Sequence, residues 1–386
     1  MSKKIGIIPL RKGSKSIKGK NKRKMVGRPL FTWVLKEAIF SELDEIYVFT
    51  DDVEIMAFVE NQYSWSKKVK ALLRNPENAN DTASTESVLL EFAEKLNTNF
   101  DILCLLQATS PLTTSLDINK ALEAIINDGY DSSLTVVNTH RFTWSSDAKP
   151  LNYDVFKRPR RQDFEGLLIE NGAVYCTTKT AFLASKNRVS GNIGIVKMPE
   201  ESLYEIDSET DWHIVEELLI HRLKKQKESA KITHIILDVD GVFTDGTITY
   251  TKDGEHTKNF DMRDGMGLEI LREQGVEVLV MTSEQSELVA QRMKKLKIED
   301  VFLGVKDKYA LVQQLILDKK VTLGNIAYVG DDVNDLANMC SVGWSLTPNN
   351  ATNIVKLHAD VVLTKNSGSG AIREACEFIL NYNKRF

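Results

Sequence analysis

Asp238 and Asp240 stand one residue apart at the end of an apolar run, in IILDVDGVFTDG. A carboxylate can attack phosphorus and form an acyl-phosphate, but two adjacent anions repel each other and an incoming phosphate ester, so the pair calls for a divalent cation. Magnesium, a hard ion that seeks oxygen ligands, suits such a pair best. Each of the later groups also follows an apolar run: Thr282 after EVLVM, Lys308 in GVKDKYA, and Asp331, Asp332 and Asp335 in YVGDDVND. They offer a hydroxyl for a phosphate oxygen, a cation and further carboxylates. Any one of them is equally at home in a solvated turn. Their order and their shared position after strands point to a single site for phosphoryl transfer.

A different chemistry is suggested near the N-terminus, where residues 11–24 carry Arg11, Lys15, Lys18, Lys20, Lys22, Arg23 and Lys24 with glycines at 13 and 19. Cations neutralise a triphosphate and glycines let backbone N–H groups approach it, although a solvated basic loop has the same composition. Neither the GxxxxGK[ST] spacing nor GxGxxG occurs, which tells against P-loop ATPase and dinucleotide readings.

These groups need elements to position them. At 386 residues the chain exceeds what one core usually serves, so two domains are expected. KIGIIPL, EIYVFT, DILCLLQ and SSLTVV alternate with helical patterns at 30–40, 84–97 and 115–128. That alternation indicates a largely parallel sheet with helices on both faces. From residue 232 the alternation begins again, with THIILDV, EVLVMT, NIAYVG and ADVVLT between helical patterns near 265–275, 284–297, 307–318 and 370–381. HRLKKQKESAK lies between the halves as a helix end and charged linker, and places the boundary at 1–227 and 228–386. Two α/β domains of Rossmann-like type are therefore expected.

The net charge of -4 gives no general reason to bind nucleic acid or an anionic membrane, so small anionic ligands are expected instead. No apolar run approaches the roughly 18 residues that span a bilayer, and MSKKIGIIPL enters a strand without a signal-peptide core, which predicts a cytoplasmic protein. Cys104, Cys176, Cys340 and Cys376 show no CxxC spacing and sit in apolar surroundings, which predicts buried free thiols.

DVDGVFTDG, MTSE, GVKDK and GDDVND, in that order, resemble the four motifs of haloacid dehalogenase phosphatases, over about 232–382. The resemblance implies that Asp238 is the nucleophile and Asp240 the general acid and base. Asp331 would join both in holding magnesium, with Asp335 in support, while Thr282 and Lys308 bind the phosphoryl group. About 20 residues separate Asp240 from FDMRDGMGLEIL, too few for a cap domain, so an open site is expected. This is similar to the capless branch that acts on phosphates of eight- and nine-carbon keto-deoxy sugar acids, whose members form tetramers. Glu284, Arg292 and Lys295 resemble the set with which ketodeoxynononate 9-phosphate phosphatases contact the sugar; a solvated helix face has the same composition.

The basic loop, read with YVFTDDVEI, LLQATSPL, RPRRQDFEGLLIENGAVY and EIDSETDW, resembles acylneuraminate cytidylyltransferases across roughly 4–220. By that resemblance Arg11, Ser14, Lys20 and Asn21 bind CTP phosphates, and Arg74 and Ser84 lie near the nucleotide. Gln107, Arg161, Gln162 and Asn171 would face the acceptor sugar. Asp207 and Glu205 would hold a second magnesium, Glu205 standing where the family usually has Asp, and Asp211 would support the following helix. The two resemblances together imply a bifunctional enzyme, most simply a homotetramer, that hydrolyses a nonulosonate 9-phosphate and activates the freed sugar with CTP. Two alternatives stay open. One is an octulosonate 8-phosphate phosphatase joined to an octulosonate cytidylyltransferase; the other is a synthetase whose C-terminal domain only assembles tetramers.

Overall fold

Contacts divide the chain into two units, residues 1–24 with 29–216 and residues 25–28 with 217–386. The computed structural model describes residues 2–13, 16–80, 82–252 and 254–386.

The first unit is built on seven strands: β1 (Lys4–Leu10), β2 (Glu45–Thr50), β3 (Val69–Leu73), β4 (Ile102–Leu106), β5 (Ser132–Thr139), β6 (Leu167–Thr178) and β7 (Ile193–Met198). They lie in the order β3-β2-β1-β4-β6-β5-β7. All neighbours are parallel except β6, which runs antiparallel to both β4 and β5. The sheet is thus mixed, and the expectation of a largely parallel one is qualified by this single strand. Parallel strands covered on both faces have no solvent side to alternate with, which is why β1 and β4 read as continuous apolar runs. Helices α1 (Leu30–Ile39), α2 (Val53–Gln62), α3 (Thr85–Lys95), α4 (Ser115–Ile126), α5 (Lys179–Ser185) and α6 (Glu209–Lys225) connect them, α6 running across the division between units. Starts are fixed by side chains: Asp52 caps α2, Ser84 caps α3, and Thr114 with Asp117 form a capping box on α4.

The second unit carries a six-stranded, wholly parallel sheet. Its elements are β8 (His234–Leu237), the hairpin β9 (Thr249–Thr251) and β10 (Gly254–Thr257), α7 (Met262–Glu273), β11 (Glu277–Met281), α8 (Glu287–Lys295), β12 (Asp300–Phe302), α9 (Lys308–Lys319), β13 (Ile326–Val329), α10 (Leu336–Ser341), β14 (Trp344–Thr347), α11 (Asn353–His358), β15 (Val361–Val362) and α12 (Ala371–Asn383). The sheet order is β12-β11-β8-β13-β14-β15. Successive residues of β8 serve opposite faces, as strand pleating requires. Ile235 and Leu237 join the core under α7, α8 and α12, whereas Ile236 joins Val312, Met339 and Val355 under α9, α10 and α11. Between Asp240 and α7 only the small hairpin intervenes, so among the described residues no domain-sized segment is inserted there. All four cysteines are buried and free. Among the described residues no helix is long and apolar enough to cross a membrane.

Candidate active sites

In the second unit β8 lies centrally, with Leu237 paired to Val280 of β11 on one side and to Val329 of β13 on the other. The residues just past the three strand ends are therefore brought together: Asp238, Thr282 and the Gly330–Asp335 turn. Topology alone assembles the first, second and fourth motifs, which lie 40 to 50 residues apart in sequence.

Asp238 is 4% exposed, and its Oδ2 lies 2.7 Å from Lys308 Nζ. The same ammonium lies 2.7 Å from Asp335 Oδ1, which also accepts from the Tyr328 hydroxyl at 2.7 Å. Asp331 is tied in through its backbone N–H, which donates to Asp335 Oδ2 at 3.3 Å. Oxygens of Asp238, Asp331 and Asp335 all fall within 4.8 Å of one another. Burial and the neighbouring Asp335 carboxylate push Asp331 up to about 7, and burial followed by Asp335 pushes Asp238 well above the usual carboxylate range. Burial would lower Lys308, but the flanking carboxylates outweigh it and raise this ammonium.

Three hard oxygen donors that destabilise one another's charge fit a divalent cation. The backbone makes room for that cluster. Gly241 has φ +83°, and a Cβ on it would collide with the Asp331 carboxylate. Thr282 is buried at the end of β11, its Oγ1 accepting from Glu284 N at 3.3 Å.

Asp240 stands outside the triad. The resemblance had grouped it with the metal ligands, but its Oδ1 is paired with Lys258 Nζ at 2.6 Å. The lysine, its side chain wholly buried, also reaches Glu255 Oε1 at 3.0 Å, and Glu255 accepts from the Ser286 hydroxyl. Lys258 was missed by sequence reasoning because it follows a short polar hairpin rather than an apolar strand. The one available signal was a lysine just before the FDMRDG segment that opens α7.

The three expected sugar contacts do not form one group. Glu284 is exposed and pairs with Lys306 at 3.1 Å. Arg292 and Lys295 share a groove with Met262, Met266, Glu269 and Arg272. There Arg292 donates to the Asp261 carbonyl at 3.3 Å and stacks over Phe260.

In the first unit a cleft of about 410 Å³ opens at the carboxyl ends of β1 and β4. Arg11, Lys20, Asn21, Arg74, Gln107 and Asp207 line it. Lys20 Nζ donates to the Ile206 carbonyl at 2.8 Å and lies 3.3 Å from Asp207 Oδ1, and Asn21 Nδ2 donates to the Arg11 carbonyl at 3.1 Å. Arg74, 5% exposed, donates to the Asn78 carbonyl. Burial, then Asp207, raises the Glu205 carboxyl. Glu205 packs over Gly172, whose φ is +66° and whose missing Cβ leaves the space that the carboxylate fills. Asp211 accepts from the N–H groups of Asp207 and Ser208, supporting the turn before α6 as expected.

Other expected members lie elsewhere. Ser84 caps α3 by accepting from Ser87 N, beside the cleft residues Ala83 and Thr85. Arg161 and Gln162 sit on an exposed turn, Arg161 3.8 Å from Glu200. Asn171 is not brought to the cleft: it is 1% exposed, and its amide group is used inside the core by Thr135 and Ser202. Ser14 lies outside the described residues.

Residues 5–232 match the family described as cytidylyltransferase, and residues 300–375 match haloacid dehalogenase-like hydrolase. N-acylneuraminate cytidylyltransferase B of Danio rerio is 31% identical over 391 residues, covering 98% of this chain and 90% of that protein. The 3-deoxy-D-manno-octulosonate 8-phosphate phosphatase KdsC of Haemophilus influenzae is 36% identical over 155 residues, 40% of this chain and 86% of that protein. The solved cobalt-bound deoxy-D-mannose-octulosonate 8-phosphate phosphatase of H. influenzae is 36% identical, covers 40% of this chain and 90% of its own, and superposes with a TM-score of 0.39.

Proposed function

Since the chain belongs to the cytidylyltransferase family and carries a haloacid dehalogenase-like C-terminal part, we propose that it removes phosphate from a nonulosonate 9-phosphate and joins the freed sugar acid to CTP. The products are orthophosphate, a CMP-sugar and pyrophosphate. The observation that carries the hydrolytic half is Lys308 held 2.7 Å from both Asp238 and Asp335 beside a third carboxylate, Asp331.

In the hydrolysis Asp238 Oδ attacks phosphorus and the ester oxygen leaves, taking its proton from Asp240; water then cleaves the aspartyl phosphate with Asp240 accepting its proton. Lys308 and the Thr282 hydroxyl hold the phosphoryl oxygens as charge moves onto them. Asp238, Asp331 and Asp335 would hold magnesium, which when bound would supply the Lewis-acid charge that lets an anionic nucleophile approach an anionic ester. Lys258 would hold Asp240 through their 2.6 Å ion pair.

In the transfer the anomeric hydroxyl of the sugar attacks the α-phosphorus of CTP and pyrophosphate leaves, a reaction governed by positioning and charge neutralisation. Arg11 and Lys20 neutralise the phosphates, Ser14 and Asn21 hydrogen-bond them, Arg74 and the Ser84 turn flank the nucleotide, and Gln107 meets the acceptor. Asp207 and Glu205 would hold a second magnesium, which would supply further positive charge beside the triphosphate. A homotetramer is proposed for the assembly.

Substrate length is supported by the full-length likeness to an N-acylneuraminate cytidylyltransferase, and Glu284 suits a hydroxyl or amide at carbon 5 of ketodeoxynononate or N-acetylneuraminate. An octulosonate reading is favoured by the likeness of the C-terminal part to an octulosonate 8-phosphate phosphatase. Presenting both nine-carbon 9-phosphates and the octulosonate 8-phosphate with CTP and magnesium, and comparing kcat/KM for phosphate and pyrophosphate release, separates them; preference for the eight-carbon ester overturns the proposal. Asp238→Ala is expected to abolish phosphate release and keep CTP-dependent transfer. Phosphate release equal to wild type removes Asp238 from its role, and a wild type without any leaves the C-terminal part as an assembly module.

A further inference from the structure

Residues 25–28 lie more than 200 positions before the first phosphatase motif in sequence, yet they cluster with residues 217–386. Met25, Val26 and Arg28 are each at most 1% exposed. Arg28 donates from Nε to Asp307 Oδ1 at 2.7 Å and from Nη2 to Asp307 Oδ2 at 2.8 Å, a two-pronged pair with both side chains 1% exposed. Its guanidinium also stacks 4.8 Å from the Tyr309 ring. Asp307 is the N-cap of α9, its Oδ1 accepting from Ala310 N at 3.4 Å, and the next residue is Lys308.

On its other side the segment meets the turn that carries Asp335. Gly27 has φ +80°, and a Cβ there would strike the Val333 carbonyl, two residues from Asp335. Asn334, in the same turn, donates to Ser283 Oγ at 3.2 Å, next to Thr282. The segment therefore touches the turns that present Lys308 and Asp335, the two members of the buried pair beside Asp238.

We propose that Arg28 is a positioning residue for phosphoryl transfer: through Asp307 it fixes the start of α9 and with it the Lys308 ammonium. A guanidinium fork fixes a carboxylate's plane as well as its place, which a single ammonium does not. Asp307 so held cannot rotate away from the α9 amide, and Lys308 Nζ stays between Asp238 and Asp335. The inference rests on the phosphatase reading for its kinetic consequence but not for its geometric one.

The test compares the full chain with Arg28→Lys and with the double variant Arg28→Met/Asp307→Asn, which removes both charges of the pair together. Three quantities are read: kcat and KM for phosphate release, the dissociation constant of orthovanadate with magnesium, and CTP-dependent transfer. In both variants kcat is expected to fall at least tenfold with KM within about threefold, vanadate to bind at least tenfold more weakly, and transfer to stay within about twofold. A lower kcat with unchanged vanadate affinity means only a smaller folded fraction and overturns the proposal, as do unchanged phosphatase constants. A wild type that binds vanadate but hydrolyses no sugar phosphate sinks the functional reading while the vanadate titration still decides the placement; a wild type that binds none overturns the placement too.

Discussion

Replacing Asp264 with asparagine isolates the cost of one buried carboxylate. Asp264 sits in the first turn of α7, 1% exposed, with Oδ1 accepting from Arg373 N at 2.8 Å and Oδ2 buried without a hydrogen-bond partner. Burial, reinforced by the nearby Asp261 charge, raises it from 3.8 to about 6. A shift of roughly two units corresponds to about 3 kcal/mol between its two protonation states. Because the folded state holds this proton more tightly than the unfolded chain, the associated stability is fully present below 3.8 and is lost as pH rises through about 6. Asparagine keeps the shape and the Arg373 bond but does not titrate. The stability of Asp264→Asn relative to wild type should therefore rise by about 3 kcal/mol between about pH 4 and pH 7. Hydrogen exchange of the buried amides of α7 and α12, measured on both proteins at each pH, reads the difference locally. A difference that is flat with pH, or that shrinks as pH rises, refutes the argument.

Gly241→Ala introduces a Cβ at φ +83° against the Asp331 carboxylate; it should cost about 1–2 kcal/mol in backbone strain and weaken magnesium affinity, read by titration calorimetry. Lys308→Met leaves Asp238 and Asp335 buried without their shared cation, so phosphate release should drop by about 10²–10³ and stability by about 3–5 kcal/mol, with urea unfolding as the check. Lys20→Met, in the first unit's cleft, should raise KM for CTP at least tenfold while phosphate release stays unchanged.

Where a candidate group follows directly from an apolar strand, its placement at the strand end is legible in the sequence. Asp238, Thr282 and Asp331 each follow a buried run that a parallel sheet must bring to one edge, so order along the chain carries spatial information. Lys258 and Arg28 have no such marker. The first follows a polar hairpin and the second follows three buried residues just past the basic loop, and its partner Asp307 is 279 positions away. Asn171 illustrates the converse: a polar residue in a matched motif whose side chain is spent on Thr135 and Ser202. The antiparallel strand β6 escaped notice because the first four residues of LLIENGAVYCTT are exposed and the next seven buried, which fits neither an alternating nor a uniformly apolar pattern.

The Arg28–Asp307 pair bears on how this protein can be dissected. Cleaving the backbone at the charged stretch near residue 228, the obvious place to liberate the C-terminal half, would discard the arginine and keep the aspartate. The excised fragment would keep Asp307 beside Tyr309 without the guanidinium that is its two-pronged partner in the full chain, and poor behaviour of that fragment would reflect the lost pair as well as any effect on catalysis. A faithful truncation has to neutralise position 307 or carry residues 25–28 along.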